Sequence, residues 1–405
     1  RVYLPRARCL ALWWGIDNVH MPTSLLDVTR LVERALRRKL PTGVDRVALA
    51  YVAHYRDRSL ALVRFAGRWV VLGRGDSRRL FDALLEPADG FARRVVWWVG
   101  RAFVLSWGLP RGAVLINAGH SGLHEPDYAA TVRRFDLRPL FFLHDLIPIT
   151  HAEYVRPGDA DKHRLRLETM LSVGRALVLN SQDTQRELVA HAAALGLPVP
   201  PSVVVPLAPP ELPPPAKARP LRSPYFVVLG TIEPRKNHLL LLHVWRTLVS
   251  ELGHAAPRLV VIGQKGWECE QVVDLLERCE ALRGAVIERQ RCSDAELSTW
   301  LGHAQALLFP SFAEGFGIPL VESLAVGTPV VASNLPVFRE IAGAVPDYLD
   351  PIDGAGWREL ILDYARPDSP RRAAQIERMA GFEAPTWQAH FERVEALIAT
   401  QIITN

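Results

Sequence analysis

From residue 24 onward, short apolar runs alternate with stretches of helical periodicity. SLLDVT (24–29), LALVRF (60–65), AVLIN (113–117), PLFFLHD (139–145) and ALVLNS (176–181) are too short for buried helices and are bounded by turn formers. Each therefore reads as a strand. Helical patterns lie between most of them, the signature of a parallel sheet wound by helices. At 206–224 the stretch PLAPPELPPPAKARPLRSP can continue neither a helix nor a central strand and reads as a linker. The alternation then restarts with YFVVLG (225–230), a helix from about 237, RLVVIG (258–263), a further helix, and AVIE (285–288). A helix opened by SDAE (293–296) and the strands QALLFP (305–310) and TPVVAS (328–333) follow. The pattern predicts an α/β protein of two doubly wound, Rossmann-like domains facing each other across a cleft. Its expected boundaries are an N-terminal extension at 1–23, a first domain at 24–205, the linker at 206–224 and a second domain at 225–385. A C-terminal helix at 386–405 is expected to pack back toward the first domain.

Sheets of this kind bind ligands at the carboxyl ends of their strands, where loops meet helix N-termini. In the second domain that edge carries the loops 230–236, 263–266 and 311–319. The last of these passes through the glycine-aromatic-glycine turn Gly315-Phe316-Gly317 into a short helix, with Pro319 suited to its first position and Gly327 to its C-cap. The glycines let the backbone approach a ligand, and the unpaired N–H groups of the helix start suit a phosphate. Glu322, about one turn inside the helix, suits a neutral diol such as ribose hydroxyls. Glu314, before the turn, would reach the other end of the ligand, so that two acids eight positions apart straddle a diphosphate. Arg235 and Lys236, after the neighbouring strand, supply the compensating positive charge.

Composition narrows the classes. With 405 residues, 49% of them apolar, the chain exceeds one ordinary core. A net charge of +5 and a pI of 9.2 favour phosphate ligands or an anionic membrane surface. Basic and acidic residues interleave, so no nucleic-acid partner is expected. Cys9, Cys269, Cys279 and Cys292 form no C-x-x-C pair and no ligand spacing, which predicts reduced thiols in a cytoplasmic protein. The first twenty residues hold too short an apolar run for a span and no cleavage site, so no secretion is expected; Met21 leaves the native start open. Asp159 and Asp161 imitate a metal-binding D-x-D, but they precede a helical pattern that they could cap, and no metal is expected. GRGDSR (73–78) lacks the third glycine and the spaced acid of a dinucleotide loop, which argues against a nicotinamide dehydrogenase. FARRVVWWVGRAFVLSWGL (91–109) places Arg93, Arg94, Arg101 and three tryptophans on an apolar helical pattern. It reads either as a core helix or as an amphipathic helix at a membrane interface.

The segment EGFGIPLVE, with Glu314 and Glu322 at its ends, resembles the E-x7-E element of the retaining family four of GT-B glycosyltransferases, the glycosyl transferases group 1. The likeness extends from about residue 24 to TWQAHFERVEALI (386–398), specific at this element and looser in the first domain. It implies that Glu322 binds the nucleotide ribose, Glu314 the donor-sugar hydroxyls, and Arg235 and Lys236 the diphosphate. Thr231 stands where many members have arginine, and Arg235 is the residue placed to compensate. PTGVDRVALAYVAHY (41–55) resembles the loop and helix beside the acceptor. FFLHDLIPITHAEY (141–154) resembles the strand end whose histidine lies near the donor sugar, which implies that role for His144. His120, after another strand, reads as a turn residue or as lining the acceptor side. The HDLIP variant is similar to bacterial enzymes that build mannose-containing polysaccharides. The implied activity is front-face transfer of a hexose, mannose favoured, from a nucleotide diphosphate sugar, GDP-mannose favoured. The implied acceptor is a glycan or lipid-linked oligosaccharide of cell-surface polysaccharide synthesis. No further cofactor is implied, and the expected place is the cytoplasm or the inner face of the cytoplasmic membrane. A nucleotide-sugar epimerase of similar shape and a non-catalytic nucleotide-sugar binding protein are the alternatives.

Overall fold

The computed structural model describes residues 23–403 apart from 38, 40, 106 and 107. Most of the N-terminal extension, including Cys9 and Met21, and Trp107 thus lie outside the described residues. The chain divides into two compact units. One comprises the described residues up to Ile149, Gly158–Leu207 and the segment from Trp387; the other comprises Thr150–Pro157 and Ala208–Thr386.

The sheet of the first unit contains β1 (Ser24–Asp27), β2 (Ser59–Phe65), β3 (Arg68–Val71), β4 (Val114–Asn117), β5 (Arg138–Leu143), β6 (Ala176–Leu179) and β7 (Ser202–Val204). Their order is β3-β2-β1-β4-β5-β6-β7, parallel except for the antiparallel β2/β3 pair. The central strands β4 and β6 are buried along their whole length, because helices cover both faces of a parallel sheet. The sheet of the second unit contains β8 (Tyr225–Leu229), β9 (Arg258–Ile262), β10 (Val286–Arg289), β11 (Leu307–Phe309), β12 (Val330–Ser333) and β13 (Asp347–Leu349). It is wholly parallel in the order β10-β9-β8-β11-β12-β13.

Both orders reverse direction beside the first strand, between β1 and β4 in one unit and between β8 and β11 in the other. At such a switch point the two loops leaving the carboxyl ends diverge and open a crevice.

Several elements differ from the sequence pattern. β3 follows β2 through a tight turn in which Ala66 and Gly67 both have positive φ, 49° and 73°. β7 and β13 are three-residue strands, too short to show alternation. Pro319 occupies the second position of the helix Ile318–Val326, because Gly317 is the N-cap. The proline stretch forms neither helix nor strand, yet it is no free spacer. Ser298 Oγ donates to Pro213 O, Ala216 N donates to Thr299 Oγ1 at 3.1 Å, and His303 Nε2 donates to Ala216 O at 2.7 Å, so it lies along the helix Asp294–Gly302. The helix Trp387–Leu397 groups with the first unit, where His390 donates from Nδ1 to Pro206 O at 3.0 Å and lies 3.1 Å from Tyr51 Oη.

Candidate functional site

In the second unit the switch point is built by the loops after β8 and β11. The first loop ends in a single turn, Pro234–Lys236, and Asn237 then takes φ +55° before the helix His238–Leu252 begins. That left-handed residue is tolerated because it is an asparagine. Its Nδ2 donates to Pro310 O at 3.2 Å and to Pro351 O at 2.7 Å, tying the loops after β8, β11 and β13 together. The approach of the β8 and β9 loops is equally tight: a Cβ on Gly263 would stand 1.8 Å from Gly230 O, so only glycine fits there.

Lys236 extends from this frame to Glu314, with which it forms a hydrogen-bonded ion pair. Arg235 Nη1 lies 2.7 Å from Glu314 Oε2 and donates to Ala313 O at 2.7 Å, while Nη2 bonds Glu233 Oε1 at 2.8 Å. Ser311 Oγ donates to Glu314 Oε1 at 2.7 Å. Burial alone would raise the Glu314 pKa, but the Arg235 and Lys236 charges and these hydrogen bonds hold it at about 2. Burial pushes the Lys236 ammonium below its ordinary value against the pull of Glu314. Two cations and two carboxylates thus form a compact cluster of zero net charge. Lys236 Nζ also lies 5.0 Å from the ring centre of Phe309, itself stacked on Phe338.

Gly317 has φ +99°, and a Cβ there would stand 2.6 Å from Phe338 Cε1; no other residue can make this N-cap without displacing the ring. Glu322, on the helix that follows, is 3% exposed. Phe316, between the two glycines, is 4% exposed and its side chain packs inward. Tyr154, from the segment that crosses to this unit, stacks on Phe312 at 5.3 Å and 7°.

His144 belongs to the first unit. It sits just past β5 and donates from Nε2 to Ala118 O at 2.8 Å. His120, with φ +57°, donates to Phe142 O at 2.6 Å, and His163, on the helix Asp159–Val173, donates to Asp145 O at 3.0 Å. The His120 ring lies 5.0 Å from that of His144 and 5.7 Å from that of His163. Burial lowers the pKa of all three, that of His144 to about 4, so the rings are neutral at pH 7. Spending Nε2–H on a carbonyl leaves each Nδ1 as an acceptor.

The structure therefore brings Arg235, Lys236 and Glu314 into contact, with Gly315, Gly317 and Glu322 on the same loop and helix. Sequence reasoning missed Glu233, Asn237, Ser311, Tyr154 and His163. Of these, only the asparagine before a helix, a residue type that accepts positive φ, offered a local signal. Asp159 and Asp161 lie in the first turn of their helix, whose N-cap is Gly158, so the aspartates do not cap it. They pair instead with Lys162 at 3.8 Å and with Arg164. Among the described residues no group of three or more His, Cys, Asp or Glu side chains is arranged to hold a metal.

Residues 214–345 match the family model of the glycosyl transferases group 1. O-antigen chain mannosyltransferase B of Escherichia coli is 32% identical over 164 residues, 40% of this chain and 42% of that protein. O-antigen chain mannosyltransferase RfbU of Salmonella typhimurium is 31% identical over 152 residues, 36% of this chain and 40% of that one. The match thus spans less than half the length of these relatives. Among solved structures, Anabaena Alr3699/HepE in complex with UDP superposes with a TM-score of 0.64 at 14% identity, covering 94% of this chain and all of that one. Sucrose-phosphate synthase from Thermosynechococcus elongatus gives 0.56 at 17% identity, covering 78% and 79%. The fold is that of the GT-B proteins.

Proposed function

We propose that the chain, whose residues 214–345 match the family model of the glycosyl transferases group 1, is a retaining hexosyltransferase acting in bacterial cell-surface polysaccharide synthesis. The favoured donor is GDP-mannose and the favoured acceptor a glycan or lipid-linked oligosaccharide. The mannosyltransferase relatives support the sugar. The observation that carries the reading is the ion cluster at the second unit's switch point, where Lys236 and Glu314 meet from adjacent loops.

In this reading the nucleotide ribose bonds Glu322, and the diphosphate lies on the helix start at Gly317 with Lys236 beside it. The donor sugar takes Glu314 by offering hydroxyl donors, which releases Lys236 to the phosphate. Arg235, held by Ala313 O and Glu233, keeps the loop in place and adds positive charge. The acceptor hydroxyl attacks the anomeric carbon from the face the diphosphate leaves. The carbon–oxygen bond to phosphate breaks as the new glycosidic bond forms, and the departing phosphate oxygen takes the acceptor proton. Neutral His144 supplies a hydrogen-bond acceptor for a sugar hydroxyl. No cofactor beyond the donor is involved. A charge-assisted contact contributes about 1.5–3 kcal/mol, and about 1.4 kcal/mol is tenfold in rate, so loss of Lys236 should slow transfer by at least tens-fold.

The reading also includes reversible attachment to the cytoplasmic face of an anionic membrane through the helix Phe91–Leu105. It is supported by exposed Val96, Trp97, Val104 and Leu105 next to exposed Arg93 and Arg94. Among the described residues no helix is long and apolar enough to cross a membrane.

The test is a thermal-shift comparison of GDP, UDP, ADP and dTDP, followed by calorimetry on two variants. The preferred nucleotide should raise the melting temperature. Glu322→Ala should weaken its binding, whereas Glu314→Ala should leave nucleotide binding nearly intact and depress transfer. Equal weakening by both substitutions would refute the placement of the two acids at opposite ends of the donor.

A further inference from the structure

The switch point of the first unit lies between β1 and β4, and its two loops are tied together: Asn117 Nδ2 donates to Asp27 Oδ2 at 3.4 Å and to Ser121 O at 3.0 Å. Arg30, the second residue of the helix Thr29–Leu36, lies over this edge. A Cβ on Gly119 would stand 3.4 Å from Arg30 Cδ, so the arginine stem rests on the backbone of the β4 loop. The adjacent residue, His120, contacts the ring of His163, and Arg166 stands one turn further along the same helix.

Arg166 differs from the arginines around it. It is half-buried, forms no ion pair and no hydrogen bond among the described residues, and its Nε is enclosed without a partner. Arg30 has one carboxylate, Asp45 at 2.8 Å, which Arg34 shares at 2.6 Å. Asp159 is the carboxylate whose charge reaches Arg166, without pairing to it; burial and the Arg30 charge both act to push the Arg166 guanidinium down. The neighbouring histidines are neutral and add no further positive charge. A half-buried guanidinium whose Nε has no partner is costly unless an anion completes it, and the arginine fork matches the oxygens of a phosphate.

We propose that Arg30 and Arg166 form a subsite for a phosphate group carried by the acceptor. The assignment to the acceptor rests on the transferase reading above; the anion subsite itself does not. A phosphate ester on a soluble glycan and a lipid-linked phosphate offer the same oxygens to the two guanidinium groups.

Calorimetry of the full chain with inorganic pyrophosphate separates this subsite from the donor loop. The native protein should bind two pyrophosphates. Arg166→Gln should weaken one site at least tenfold, Arg166→Lys should recover part of it, and Lys236→Gln should weaken only the other. Without ligand, Arg166→Gln should melt at the native temperature or above, since an unpaired, half-buried charge has been removed. Displacement of pyrophosphate from the Arg166-dependent site by glycerol 3-phosphate would assign a soluble ester, and displacement by phosphatidic acid vesicles alone a lipid headgroup. Displacement by neither, two unaltered sites in Arg166→Gln, or a lowered melting temperature in that variant would overturn the proposal. If only the Lys236→Gln result fails, the donor assignment falls and the Arg30–Arg166 subsite stands.

Discussion

Gly317 carries two constraints in one residue, a φ of +99° and an approach of 2.6 Å between its missing Cβ and the Phe338 ring. Strain of this backbone type costs about 1–3 kcal/mol, and the displaced ring adds to it. Gly317→Ala should therefore lower stability by about 2–4 kcal/mol in urea titrations and abolish nucleotide binding. Gly90→Ala, with φ +76° and open space around it, should show the backbone part alone. A loss no larger at Gly317 than at Gly90 would show that Phe338 yields freely. At this scale the sequence was legible where chemistry is local: the glycine turn, Glu314, Glu322 and Lys236 all follow from spacing. Ser311 on Glu314 and Asn237 on Pro310 and Pro351 were not, because those bonds depend on which loops the sheet makes neighbours.

The helix Phe91–Leu105 shows what an element decides that its residues do not. Its pattern allowed a core helix or an interfacial one, and the structure gives it one buried face and one exposed face. Phe91, Val95, Trp98, Val99 and Ala102 are buried, while Val96, Trp97, Val104 and Leu105 are exposed. Trp98, 8% exposed, cannot insert into a bilayer without unpacking the unit, whereas Trp97 is exposed. Arg101 is committed to Asp76 and lies over the Trp97 ring at 5.0 Å. Arg79, Gly90, Arg93, Arg94, Trp97 and Trp98 line a hollow of about 620 Å³ beside it. Trp98→Ala should cost about 3–5 kcal/mol of stability; Trp97→Ala should cost little and reduce co-sedimentation with anionic liposomes. Arg93→Glu with Arg94→Glu should abolish that co-sedimentation at an unchanged melting temperature, and equal recovery with neutral liposomes would refute the docking face.

For the whole molecule, buried histidines set the response to acid. Burial lowers His144 and His390 to about 4 and His238 to about 3, and lowers His120 and His163 as well. Their unfolded value is about 6.5, so the folded state binds fewer protons below it. Stability should be flat above pH 7 and fall as pH drops from about 6.5 toward 4. Glu314, depressed to about 2, adds a loss only below about 4.5. His390→Asn keeps a donor for Pro206 O and should remove of the order of 3 kcal/mol of the slope between pH 6.5 and 4. Melting curves across that range check it, and an unchanged slope would show that His390 titrates normally.

The sequence by itself determined two parallel-sheet units, most central strands, and the loop and helix that hold Glu314, Gly317 and Glu322. Strand and turn propensities depend on near neighbours and on φ, which a short stretch encodes. The tertiary structure decided the three-residue strands at β7 and β13, the two faces of the Phe91–Leu105 helix, and the passage of Thr150–Pro157 into the second unit. It also decided that Lys236 meets Glu314, 78 residues away, and that Arg166 is left without a carboxylate. Those outcomes follow from the order of strands in each sheet, since side chains far apart in the chain acquire partners only where two loops leave adjacent strands.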